Sequence, residues 1–264
     1  MSIAGRALYR FNQWREAKPY EALLRNGAEV YQQKFLDDAG KRESTIDGLH
    51  FKNGTDFKIR DGAGAAHIFY EIFLRDQYPK AMLGGAKTIV DVGSNIGLFS
   101  YYARLQAPNA RIIAIEADPD TFALLNLNLA NQNVERLHQA AASEAGTIDF
   151  YSSEISGWSS RYAVLGAKNA RRVSVPAEPL SVTLGKLGVD GIDFLKIDVE
   201  GAEYDILLGD CDLWSTPIRH LVVEVDRSPR DERYSFEQLM ALLRARFAST
   251  EVGSGKYPLV RCSS

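Results

Sequence analysis

"TIVDVGSNIGLFS", residues 88–100, is the stretch on which the fold turns. An apolar run, Thr88-Ile89-Val90, ends in Asp91, and Gly93 and Gly97 then bracket a polar turn. Ile96, Leu98, Phe99, Tyr101 and Tyr102 follow in a helix-like pattern. This is a strand passing its chain to a helix through a glycine turn, the unit from which parallel α/β domains build ligand sites. A dinucleotide fingerprint needs glycines at its first, third and sixth positions. Counted from Gly93, those positions hold Gly93, Asn95 and Leu98, which argues against a nicotinamide oxidoreductase.

Downstream, short apolar runs alternate with helical patterns. Strands are expected at "RIIAIEAD" (111–118), around 136–141, at "DFLKIDVEG" (193–201) and at "HLVVEVD" (220–226), with helices at 119–131 and 202–208. That alternation implies a mostly parallel sheet covered by helices on both faces. Residues 142–182 interrupt the rhythm with Gly, Ser, Pro and aromatics around two short β-like runs. A closing hairpin is expected around Gly253 and Gly255. Upstream, residues 1–45 read as a helical cap, 46–60 as a hairpin turning at Asn53-Gly54, and "HIFYEIFLRDQY" (67–78) as an amphipathic helix. The expected division is a cap, residues 1–85, and a ligand-binding domain, residues 86–264.

The 264 residues are 45% apolar and 25% charged, as in an ordinary globular protein with a sizeable core. A net charge of -3 argues against a general nucleic-acid binder. Cys211 and Cys262 form no metal or redox spacing, so a cytoplasmic protein is expected. No apolar run approaches the ~20 residues of a membrane span, and no leader is read at the start. Arg6, Arg10, Arg15, Lys18 and Arg25 make the cap locally basic, which leaves room for peripheral contact with a membrane surface or an acidic substrate. A solvated helical face is the simpler account. Oligomeric state is not legible.

Asp91 bears on the ligand. A carboxylate beside a phosphate repels it, and beside an ammonium attracts it. S-adenosylmethionine carries an ammonium, a carboxylate and a sulfonium, and no phosphate. Gly93 and Gly97 let the backbone approach its methionine part, and helix N–H groups can meet its carboxylate. Glu116 ends the second strand, 23 residues after Gly93 (116 − 93 = 23), where an acid can accept both ribose hydroxyls.

Three segments, "DVGSNIGLFS" (91–100), "IEADPDTFALLNLNL" (115–129) and "LKIDVEGAEYDILLG" (195–209), together resemble the FkbM family of S-adenosylmethionine-dependent methyltransferases. The resemblance spans roughly residues 60–226. It implies the class I methyltransferase (Rossmann-like) α/β fold, a mostly parallel seven-stranded sheet with its last pair antiparallel, and O-methylation. Residue by residue, Asp91, Gly93, Ser94, Asn95 and Gly97 match the cofactor turn, and Glu116 with Ala117 the ribose end. Ala141 falls where such folds pass the adenine.

Methyl transfer is an in-line displacement, and an alcohol acceptor must lose its proton to a base or to a metal-acidified site. Asp198, Glu200 and Glu203 follow the fourth strand, and Glu224 and Asp226 end the fifth. Asp198 and Glu224, with Asp226, are expected to act as base and acceptor anchor or to hold Mg²⁺, and Asp198 also to contact the cofactor. Glu200 and Glu203 either meet the substrate or serve the helix dipole. His67 is a further candidate base, while His50, His138 and His220 look structural. Trp158, within the interrupting stretch, can pack or stack on a flat acceptor face. The expected activity is methylation of a hydroxyl on a sugar, glycan or other secondary metabolite. The alternatives are a macrolide or polyketide hydroxyl, a non-catalytic cofactor-binding module, and the disfavoured oxidoreductase.

Overall fold

The computed structural model describes residues 15–38, 45–152 and 171–264. By internal packing the chain separates into two units, Met1–Gln77 and Tyr78–Ser264. In the first, residues 15–23 (α1) and Gly27–Asp38 (α2) are helical. Gly48–His50 (β1) and Asp56–Lys58 (β2) pair antiparallel across a turn where Gly54 adopts φ 91°. Helix α3 (Gly62–Phe69) begins five residues before the apolar pattern suggests, because Asp61 caps it by accepting a hydrogen bond from Gly64 N at 2.6 Å. The Gly- and Ala-rich first turn carries no amphipathic signal. A π turn, Tyr70–Leu74, completes the segment, so the helix also stops short of residue 78. Phe69 and Phe73 stack at 4.9 Å within this unit's aromatic core.

The second unit opens with α4 (Lys80–Leu83), β3 (Thr88–Val92), α5 (Leu98–Gln106), β4 (Arg111–Glu116), α6 (Pro119–Asn128) and β5 (Glu135–His138). Next come β6 (Ala140–Ala141), β7 (Gly146–Ser152), β8 (Arg171–Glu178), α7 (Leu180–Lys186), β9 (Ile192–Ile197) and β10 (Ile218–Glu224). It closes with α8 (Phe236–Arg246), β11 (Ser249–Val252) and β12 (Leu259–Ser263). Strands β3, β4 and β9 are near-continuous apolar runs because they lie in the interior of the sheet.

The seven-stranded sheet runs β11-β12-β10-β9-β3-β4-β5. Its strands β10, β9, β3, β4 and β5 are mutually parallel, while β12 is antiparallel to both β10 and β11. The expected seven strands, mostly parallel with an antiparallel final pair, are therefore present. From β3 the chain proceeds outward through β4 and β5, then returns to β9 and continues the other way through β10. Right-handed crossovers in opposite directions place their helices on opposite faces. The reversal between β3 and β9 is the topological switch point, where a crevice opens at the C-terminal strand ends.

Two local expectations change. The strand foreseen at 136–141 is divided: β5 joins the main sheet, and β6 joins β8 and β7 in a separate three-stranded sheet. The interrupting stretch supplies β7 and β8, paired antiparallel from Gly146↔Ala177 to Ser152↔Arg171. Trp158 lies outside the described residues, as do Arg6 and Arg10. The helix foreseen at 202–208 is present over 203–209, of π type from Asp205 to Gly209, and is followed by a 3-10 turn, Cys211–Ser215. Buried Asp205 and Asp210 tie this region to its neighbours, accepting from Ser143 N and Oγ and from Ser181 N and Oγ respectively. The C-terminal hairpin forms as expected, with Gly255 at φ 96°. Among the described residues no helix is long and apolar enough to cross a membrane.

Candidate functional site

In the register of β3 and β9, Asp91 lies opposite Lys196. Neighbouring residues of parallel strands project to the same face, so these two side chains meet. Lys196 Nζ stands 3.1 Å from Asp91 Oδ1 and 3.8 Å from Asp198 Oδ2, and donates a 2.8 Å hydrogen bond to Gly93 O. Ser100 Oγ donates to Asp91 Oδ2 at 2.7 Å, and Ser94 Oγ to the Asp91 carbonyl at 2.7 Å. Burial alone disfavours the lysine charge, but Asp91 and Asp198 outweigh it and hold the Lys196 pKa above its ordinary value.

This corrects one expectation. Asp91 is fully buried, and the ammonium beside it comes from the protein itself. Lys196 was not singled out in the sequence. Its signal was a lysine flanked by the apolar residues Phe194, Leu195 and Ile197 of a strand, where a buried lysine requires a partner.

The turn that follows is left-handed at three positions, Gly93 (φ 77°), Asn95 (φ 51°) and Gly97 (φ 94°). A Cβ at Gly93 would lie 1.8 Å from Asp198 O, so β3 and β9 approach through a gap that only glycine leaves. At Gly97 a Cβ would meet the Leu129 side chain at 2.9 Å. Gly93 N and Ser94 N both donate to Ile115 O, Asn95 N to Glu116 Oε2, Ile96 N to Asn95 Oδ1, and Gly97 N to Ser94 O. Each amide from 93 to 97 is thus engaged within the protein. The space left by the two glycines is taken by Asp198 O and by the Leu129 side chain, and the turn presents no set of idle N–H donors.

Glu116, at the end of β4, is buried. Oε2 accepts from Asn95 N and Oε1 from Asp118 N, both at 2.8 Å. Each oxygen of an ionised carboxylate has two acceptor sites, so capacity remains for two further donors such as a ribose diol. Burial pushes its pKa up to about 7, against the lowering effect of the two backbone hydrogen bonds. Ala117 is half-buried, with its carbonyl 3.1 Å from His138 Nε2, and His138 stacks on Phe122 at 4.9 Å. Ala141 is buried in β6.

The acidic side of the crevice is set by the next strand pair. Val223 pairs with Ile197, so Asp198 and Glu224 leave adjacent strand ends together. Asp198, Glu200, Glu203, Glu224 and Asp226 line one open cleft, with Arg230 and Tyr257. The loop bends sharply at Glu200 (φ 54°) and Gly201 (φ 111°). Glu203 is buried and turned inward, with Oε1 accepting from Val199 N at 3.2 Å and from Gly201 N at 3.0 Å. Burial raises its pKa to about 7. Glu200 keeps a solvent-exposed edge, yet crowding by the surrounding protein and by Asp198, Glu224 and Glu203 raises its pKa. Asp226 accepts from Ser228 N through Oδ1, and its carbonyl accepts from Tyr204 Oη at 2.6 Å. Among the described residues no group of three or more His, Cys, Asp and Glu side chains is arranged to hold a metal ion. His67 belongs to α3 of the N-terminal unit, with Nε2 3.3 Å from Glu71 Oε1.

Residues 91–248 match the family described as the methyltransferase FkbM domain, which is more than half of the chain. The chain is 34% identical over 195 residues to methyltransferase sdnD of Sordaria araneosa, an alignment covering 61% of this chain and 74% of that protein. It is 28% identical over 250 residues to 31-O-demethyl-FK506 methyltransferase FkbM of Streptomyces tacrolimicus, covering 78% and 95%. With 2-O-methyltransferase NoeI of Sinorhizobium fredii it shares 28% identity over 136 residues, covering 46% and 56%.

The close approach at Gly93 gives a direct test. Gly93→Ala adds both a left-handed backbone penalty and a clash with a backbone oxygen that has no room to yield. The expected loss is about 3 kcal/mol or more, read by chemical denaturation. A loss below about 1 kcal/mol would contradict the packing described for this turn.

Proposed function

Because the chain belongs to the FkbM methyltransferase family, we propose that it transfers a methyl group from S-adenosylmethionine to a hydroxyl of a sugar, glycan or other secondary metabolite. The reading is supported by one juxtaposition: the glycine turn follows β3 and Asp198 follows the neighbouring β9, with Gly93 packed against the Asp198 carbonyl at the switch point. The names of two relatives, a 31-O-demethyl-FK506 methyltransferase and a 2-O-methyltransferase, specify oxygen and support a hydroxyl acceptor.

The residues of the turn fit this cofactor. The methionine part lies along the half-buried backbone at Gly93 and Asn95, with Ser94 and Gly97 fixing the turn beneath it, Glu116 accepts the ribose hydroxyls, and Ala117 and Ala141 flank the adenine. Bound there, S-adenosylmethionine supplies an electrophilic methyl group on a sulfonium. Asp198 and Glu224 orient the acceptor hydroxyl and take its proton. Glu200 borders the acceptor, its carboxyl held well above the usual carboxylate range by burial and by Asp198, Glu224 and Glu203. Glu203 holds the shape of the loop from inside. Asp198, Glu224 and Asp226, the expected Mg²⁺ ligands, are not grouped to hold a metal ion, and turnover is expected to survive dialysis against EDTA.

Glu116 sets the pH dependence of cofactor binding. Only the ionised carboxylate offers every acceptor site, so affinity for S-adenosylhomocysteine is fully present above the raised pKa and falls as pH drops through about 7. Between pH 8 and 5.5 the Kd is expected to rise about tenfold, the loss of ~1.4 kcal/mol. Glu116→Gln should bind more weakly at pH 8 and show a flatter profile. An unchanged profile in that variant would remove Glu116 from the ribose site.

Calorimetric titration should show micromolar binding of S-adenosylmethionine and S-adenosylhomocysteine, and none of NAD. Turnover is read as S-adenosylhomocysteine release against a panel of hydroxylated acceptors, sugars first. Asp198→Asn and Glu224→Gln are each expected to lose about 100-fold or more. Wild-type turnover in both variants would place the proton transfer elsewhere. Absence of adenosyl binding by folded wild type would end the methyltransferase reading.

A further inference from the structure

A lysine in the middle of a parallel sheet, 4% exposed, is costly to bury and is retained only where its charge is answered. Asp91 answers it directly. Charge balance alone, however, is met as well by two apolar side chains of similar volume. What balance does not explain is the third contact, the 2.8 Å hydrogen bond from Lys196 Nζ to Gly93 O. Gly93 N donates to Ile115 O on β4, so residue 93 is held from one side through its N–H and from the other through its C=O. It is also the residue whose Cα faces Asp198 O too closely for any side chain. The same ammonium stands 3.8 Å from Asp198 Oδ2, whose side chain is one-third exposed (33%) and lines the acidic cleft.

We propose that Lys196 is a positioning residue: one buried ammonium anchors both the Gly93 carbonyl in the cofactor turn and the Asp198 carboxylate at the acceptor side. The inference builds on the reading that the turn holds S-adenosylmethionine. It assigns to β9, which touches neither reactant through Lys196, the task of keeping the two halves of the site in register.

Removing Lys196 alone would strand the Asp91 charge in the core, so the test is made in a background where that charge is absent. Asp91→Asn keeps the lysine and its bond to Gly93 O. Asp91→Asn/Lys196→Met loses both while leaving no buried charge uncompensated on β3. S-adenosylhomocysteine affinity is measured by titration calorimetry, and the thermal midpoint of each variant by scanning calorimetry. The double variant is expected to melt within a few degrees of Asp91→Asn, yet to bind about tenfold more weakly, ~1.4 kcal/mol. Equal affinities in the two variants, with wild type binding normally, would overturn the role given to Lys196 and leave the cofactor reading intact. Folded wild type that binds no S-adenosylhomocysteine would overturn both.

Discussion

An ammonium buried between two parallel strands is the constraint around which this domain is arranged. Lys196 needs a carboxylate within reach, and the β3–β9 register supplies Asp91 directly opposite. With its charge answered, the lysine has a further hydrogen bond to give, and it gives it to the first glycine of the turn. In the sequence the acid reads as attracting a ligand's ammonium, whereas in the structure the cation beside it is Lys196. A charge pair enclosed in this way is screened little by salt and is expensive to break one side at a time.

The same strand pairing explains the glycine and the cleft. Gly93 is tolerated, and required, because β3 and β9 converge until a Cβ would fall 1.8 Å from a carbonyl oxygen. One register step along, β9 and β10 deliver Asp198 and Glu224 to the same edge. Glu203 fastens the loop after β9 through the loop's own amides and lines the cleft together with Asp198, Glu200, Glu224 and Asp226. Glu116, at the end of β4, holds Asn95 N and Asp118 N. Shape is set by backbone approach, and burial and neighbouring charges raise the pKa values of Glu116, Glu200 and Glu203 above the usual carboxylate range.

Much of this was legible in the sequence because it is local. The strand-turn-helix of 88–100, the acid at 116, the Asn53-Gly54 turn and the C-terminal hairpin each follow from residues a few positions apart. The pairing of Asp91 with Lys196 does not, since the partners are 105 residues apart and meet only through the strand order (196 − 91 = 105). The start of α3 was hidden because its first turn is Gly and Ala under an Asp cap, with no apolar stripe to mark it. The 136–141 run looked continuous, but Ala140 and Ala141 pair with β8 instead of β4. Whether Glu203 faced the acceptor or its own loop depended on the positive-φ bend at Glu200 and Gly201, which apolar periodicity does not report.

The most direct test of the account is a crystal structure with S-adenosylhomocysteine bound. The account predicts the adenosyl group over the Gly93–Gly97 turn, both ribose hydroxyls within hydrogen-bond distance of Glu116, and the sulfur facing the Asp198–Glu224 side of the crevice. Ribose contacts made elsewhere, or a sulfur turned away from those carboxylates, would contradict it.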